Sequence, residues 1–149
     1  MSNKKSFRNI TIYNQKFYFR RDGLLTGNIV DERLTITFSP YDNKHNYLSV
    51  CFPLSAINVP PSSYSGVDKN NPHPGFLTPC FFHAKAVNHG EEVVIEFGKT
   101  RIISEILGFI LEHKLWDTHS RNINEQIDGW EILSKLGYSD FLPHLTWSW

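Results

Sequence analysis

His113, Asp117 and His119 are the closest approach in this 149-residue chain to a metal or catalytic cluster. Two imidazoles and a carboxylate suit zinc or a related ion, provided the turn that carries them folds back. Their spacing is not that of helical ligands, which sit four residues apart, as in H-E-x-x-H. The plainer reading makes His113 a core histidine with one hydrogen bond, or a cation favoured at a helix C-terminus. Cys80 and His83 pair a nucleophile with a base by type only. On a helix they share a face, on a strand they point oppositely, and no third group is there to orient the imidazole. The chain has no P-loop, no G-x-G-x-x-G, no G-x-S-x-G and no C-x-x-C. The expectation is a non-enzyme with no metal and no cofactor. A small metal-dependent enzyme using His113, Asp117 and His119 is the alternative.

Lys4, Lys5, Arg8, Lys16, Arg20 and Arg21 concentrate charge near Tyr13, Phe17, Tyr18 and Phe19. Basic groups interleaved with aromatics can stack on single-stranded nucleic acid. Phe17 and Phe19, however, alternate as a core face. The 15 basic and 15 acidic side chains also cancel, so no wider field favours nucleic acid or an anionic membrane. Trp147 and Trp149, with Phe141, Leu142 and Leu145, make the chain end unusually apolar. This tail either docks on the protein's own sheet, the favoured reading, or forms an adhesive patch, tryptophan being enriched in interface hot spots. The segment Ser55 to Pro79 holds five prolines and two glycines and reads as a long surface loop. It offers Tyr64, Asp68, His73 and Phe76 to the same partner. Tyr64, Asp68, His73, Trp147 and Trp149 are therefore the candidate partner-binding residues.

At this length one domain, residues 1–149, buries about 70% of its unfolded surface. Apolar content of 40% is enough for a packed interior. No run approaches the ~18 apolar residues of a membrane span, and no apolar stretch follows Lys4-Lys5 to make a signal peptide. Cys51 and Cys80 read as reduced thiols, which places the chain in the cytoplasm.

The elements that must position these residues begin with β alternation. Ile10 and Ile12, then Phe17 and Phe19 across an Asn14-Gln15 turn, spell a hairpin. Leu34, Ile36 and Phe38 make a third strand, and Leu48, Val50 and Phe52 a fourth, ended by Pro53. Residues 8–52 thus predict an antiparallel meander. Residues 78–90 carry two signals. Thr78, Pro79 and Gly90 spell a capped short helix, the favoured reading, while Phe82, Ala84 and Ala86 spell a strand hairpinning into Val93–Phe97. Past Gly98, residues Ile102, Ile103, Ile106, Leu107, Phe109, Ile110 and Leu111 fall in one arc of roughly 200° on a helix over 99–116. His113 also projects from that arc. Asp128 and Glu131 in capping-box spacing start a helix over 128–136, with Gly137 as its terminator. The fold class is α+β: an antiparallel meander sheet packed on one face by a central long helix and a short C-terminal helix.

Ile10-Thr11-Ile12 with Phe17-Tyr18-Phe19-Arg20, and Ile110-Leu111-Glu112-His113-Lys114-Leu115-Trp116-Asp117, resemble small uncharacterised bacterial proteins. Those pair an N-terminal β-meander with a late helix closing on a Trp-Asp or Trp-Asn-Pro turn; the proline is missing here. The resemblance implies no established activity. In general look the chain is similar to bacterial toxin-immunity and related inhibitor proteins. That likeness implies a protein-binding module which masks a toxin or effector by surface complementarity.

Overall fold

The computed structural model describes residues 8–24, 33–56, 82–120 and 124–145. Its first four strands are β1 (Arg8–Ile12), β2 (Gln15–Leu24), β3 (Arg33–Pro40) and β4 (Tyr47–Pro53), paired antiparallel in chain order. The β1–β2 turn falls one residue earlier than predicted. Tyr13 and Asn14 both take left-handed φ, 52° and 64°, so Ile12 pairs with Gln15. Two positive φ values match the right-handed twist of the flanking strands. The resulting register sets Ile10 against Phe17, Phe19 against Phe38, Leu34 against Phe52 and Ile36 against Val50. All eight side chains are buried. A slip of one residue would turn them to the outer face, which is why the register is firm.

The sheet is not purely antiparallel, as the alternation implied. The strand that joins β4 comes from the chain's second half and runs parallel to it. In chain order the second half builds β5 (Phe82–Asn88), β6 (Glu91–Ile95), α1 (Thr100–Glu112), β7 (Asn124–Asp128), α2 (Gly129–Lys135) and β8 (Tyr138–Leu145). Strand β7 lies parallel to β4 and completes a five-stranded mixed sheet in the order β1-β2-β3-β4-β7. A second sheet of three antiparallel strands has the order β6-β5-β8.

That second sheet overturns the helix favoured for residues 78–90. His89 and Gly90 take φ 54° and 79°, the left-handed pair of a tight hairpin, so Gly90 closes a turn and does not stop a helix. Ala84 and Ala86 alternate inward and are buried. The tail docks as a strand through Leu145, and Trp147 and Trp149 lie outside the described residues. Of the predicted loop 55–79, Ser55 and Ala56 end a short 3-10 turn (Leu54–Ala56) and the rest lies outside the described residues.

Helix α1 has 13 residues, four fewer at its C-terminal end than the pattern predicted. It stops in a Schellman arrangement: Leu115 N–H donates to Ile110 O and Lys114 N–H to Leu111 O, with Lys114 at φ 54°. His113 is thus the capping residue and exposed, not part of the apolar arc. Ile102, Ile103, Ile106, Leu107 and Ile110 supply the buried face. Helix α2 starts where its cap predicted, the Asp128 carboxylate accepting from Trp130 N–H at 3.0 Å. Gly137, at φ 106°, ends it. Among the described residues no helix is long and apolar enough to cross a membrane.

Both sheets and both helices feed one contiguous cluster of buried residues. At its centre the Phe52 ring meets Phe97 at 4.8 Å and the edge of Trp130 at 5.2 Å between centroids. Trp130 in turn meets Phe141 at 5.0 Å, so α2 bridges the two sheets. Phe52 reaches this position only because Gly129 has no side chain; a Cβ there would lie 2.3 Å from the ring. Gly108, in the middle of α1, has nothing within 4 Å of such a Cβ. The two glycines should therefore respond with opposite signs in denaturant unfolding. Gly129→Ala should cost about 1–3 kcal/mol by overpacking, and Gly108→Ala should add about 0.5–1 kcal/mol through helix propensity. Equal responses would contradict the close packing of Phe52 on Gly129.

Candidate functional site

Two turns and the end of α1 meet at one end of the five-stranded sheet. The β3–β4 connection, Tyr41-Asp42-Asn43-Lys44-His45-Asn46, folds beside the start of β2, with Tyr41 N–H donating to Lys16 O at 3.0 Å. Its asparagines then reach away from the sheet. Asn46, fully buried, accepts from the Trp116 indole N–H at 2.8 Å and donates to Asp117 O at 2.8 Å. Asn43 donates to Ser120 O at 2.7 Å and Thr118 O at 3.1 Å. Trp116 also packs on Phe17 at 5.8 Å. Four hydrogen bonds and one ring contact thus fasten residues 116–120 to the sheet's end.

The outer surface of this end is aromatic and basic. Tyr18 and Tyr41 meet as a tilted pair with centroids 5.0 Å apart. The Lys16 ammonium lies 4.7 Å over the Tyr41 ring, and that of Lys44 6.0 Å from the Tyr18 ring. The Tyr18 hydroxyl is held above its ordinary pKa by partial desolvation first and then by the Tyr41 hydroxyl. Tyr13, in the neighbouring turn, is 68% exposed, Tyr41 45%, Leu115 44% and Tyr47 38%.

Of the residues singled out from sequence, Tyr64, Asp68, His73, Phe76, Cys80, Lys4 and Lys5, with Trp147 and Trp149, lie outside the described residues. Phe17 and Phe19 are core, as their alternation predicted, with the Arg8 guanidinium 5.5 Å over the Phe19 ring. Arg20 pairs with Asp22 at 2.9 Å. Arg21 faces inward and donates to Phe97 O at 3.4 Å, its pKa lowered by burial and then by Arg8.

His113, Asp117 and His119 share the end of α1 without converging on a common point. The His113 ring stacks on Phe109 at 3.9 Å, and its Nδ1–H donates to Phe109 O at 3.0 Å. Both Asp117 oxygens are engaged locally, Oδ1 accepting from His119 N–H at 3.0 Å and Oδ2 from Ser120 Oγ–H at 2.7 Å. Among the described residues no group of three or more His, Cys, Asp and Glu is placed to hold a metal ion.

The residues that sequence reasoning missed are Tyr41, Lys44 and Tyr47. The stretch 40–46 read only as turn chemistry. The available signal was a tyrosine at each border of that turn with a lysine inside it. No protein-family model, no curated protein and no solved structure matches this chain.

The Asp117 carboxyl is held below its ordinary pKa chiefly by the Ser120 hydroxyl, then by the His119 amide. Its folded value lies under its unfolded one. The turn's contribution is therefore complete above about pH 4 and fades as pH falls through the folded value. Ser120→Ala should raise the Asp117 pKa toward the ordinary carboxylate value in a carboxyl-carbon NMR titration. An unshifted curve would show that the hydroxyl does not hold the carboxylate.

Proposed function

We propose that this chain is a non-enzymatic protein-binding module of the toxin-immunity type. It masks its partner with the aromatic and basic end of the five-stranded sheet. One observation carries the reading. Of the six large hydrophobic side chains exposed among the described residues, four (Tyr13, Tyr41, Tyr47 and Leu115) belong to this end. Tyrosine brings a large rigid contact area with a polar tip at small entropic cost, which suits an interface anchor. The asparagine clamp beneath holds the surface in shape before any partner arrives, so little ordering cost remains at binding.

Charge indicates what such a partner presents. Lys16 and Lys44 stand over tyrosine rings, and Lys114 borders Leu115. Carboxylates on a toxin or effector would meet ammonium groups backed by the negative ring faces. That arrangement favours association rate and selectivity over raw affinity.

The reading is tested by affinity capture from the producing cells with the wild-type chain, Tyr13→Ala/Tyr41→Ala and Lys16→Glu/Lys44→Glu. The expected result is one protein retained in stoichiometric amount by the wild type and lost at least about tenfold by both variants. Circular dichroism should show both variants folded, since all four side chains stand outside the core. Equal retention by all three chains, or retention of nucleic acid in place of a protein, would overturn the proposal.

A further inference from the structure

The three-stranded sheet turns one face to the core and the other outward. Ala84 and Ala86 of β5 are buried, so the residues that alternate with them, His83, Lys85 and Val87, belong to the outer face. That face opens to solvent. Val94 and Leu142, the two partners of Lys85 on the neighbouring strands, are 47% and 38% exposed. In the next row the register sets His83 directly against His144 of β8. Directly opposed residues of an antiparallel pair share a face and stand roughly 4.5–5.5 Å apart at Cβ. On the other flank Glu96 follows Ile95, the partner of Ala84, and is exposed where Ile95 and Phe97 are buried. Glu96, His83 and His144 therefore occupy one row across the outer face.

Among the described residues no other strand pairing sets two histidines together. Imidazole nitrogens suit zinc, nickel and copper, and two imidazoles with one carboxylate are a donor set that zinc takes. The charges nearby tolerate a cation. Lys85 lies on the same face two residues from His83, and the negative charge of Glu96 offsets it. Glu96 is paired with Lys99 at 4.0 Å, but between exposed side chains this ion pair is too loose to hold the carboxylate in place.

We propose that His83 and His144 bind a divalent transition-metal ion of the zinc, nickel and copper kind, with Glu96 as the third donor position. The ion acts as a clip. It joins β8, the last of the described strands, to the middle strand of its sheet. The β5–β8 ladder is interrupted between Lys85 and Val87, which leaves four paired positions, Phe82 to Lys85, beyond the irregularity. An ion on His83 and His144 falls within that short run and ties it down. This site shares no residue with the partner-binding end, and its test does not depend on that reading.

The experiment titrates the full, metal-stripped chain with zinc, nickel and copper(II) chloride, followed by calorimetry and by amide hydrogen exchange. At least one of these ions should bind at one per chain and slow exchange of the β8 amides. His83→Gln and His144→Gln should each lower the affinity at least about tenfold. Glu96→Gln should weaken binding by a smaller factor, and His113→Gln, remote from the row, should leave it unchanged. Lys85→Glu exchanges a neighbouring cation for a carboxylate and leaves both histidines in place. It should tighten binding, a result that does not depend on the folding of the histidine variants. Binding of none of the three ions, binding that survives in the His83→Gln/His144→Gln chain, or loss on His113→Gln instead would each overturn the site. An unchanged affinity in Glu96→Gln would remove the third donor, and β8 exchange unaffected by a bound ion would remove the clip.

Discussion

The hydrogen bonds around Asn46 are the constraint on which the rest of the arrangement depends. A fully buried amide accepts from the Trp116 indole and donates to the next carbonyl along the chain. Neither group has water as an alternative partner there, so either one left alone would cost about 1–3 kcal/mol. The pair therefore admits one geometry. It fixes where the chain leaves α1, and with it the starting point from which β7 comes to lie parallel to β4. A parallel neighbour cannot be joined by a short hairpin. Here the connection out of β4 passes through β5, β6 and α1 before returning, and the asparagine clamp determines where that long excursion ends.

The entry to α1 is held by packing. Phe97 follows β6 into the core against Phe52, and the Arg21 guanidinium reaches from β2 to the Phe97 carbonyl. Gly98 stands beside that guanidinium; a Cβ would come within 3.1 Å of its Nη1. The junction is tight at this point because strand, turn and helix must change direction under a cation that is itself half-buried. Phe52 then carries the constraint to α2 through Trp130 and Gly129. One aromatic side chain of β4 thus packs against both α2 and the turn that leads into α1.

What could be read in advance follows from where the information is local. The β1–β4 meander was legible because inward residues repeat at period two and one face is dry. The α1 face was legible for the same reason at a different period. Its end was not. The terminator is Lys114 in a left-handed conformation where glycine is the usual sign, so the apolar pattern runs on through Leu115 and Trp116 and carried His113 with it. The β5–β6 hairpin was lost to Thr78, Pro79 and Gly90, which spell helix caps, although His89-Gly90 spells a hairpin turn equally well. Strand β7, Asn124-Glu125-Gln126-Ile127-Asp128, has a single apolar residue and gave no signal. It is a strand because β4 offers it a ladder, a non-local cause with no local mark. The aromatic and basic end was hidden likewise, since Tyr18 and Tyr41 are brought together only by the β2–β3 register.

Position along α1 accounts for where polar chemistry reaches the surface around this helix. The middle of the helix is covered by core side chains and offers solvent only Ser104, Gly108 and their neighbours. At each end the helix must stop, and there polar groups necessarily approach the surface. At the C-terminal end Asn43 and Asn46 satisfy the freed carbonyls that follow it, which leaves tyrosines and lysines outside for contact. At the N-terminal end Lys99 caps without a side-chain bond, and the Asn88 amide oxygen of the sheet beneath is buried with no hydrogen-bond partner among the described residues. A fully paired end makes a rigid platform suited to a large partner surface. The two ends are separated by the helix's own length of about 20 Å, and a change at one end need not disturb the other.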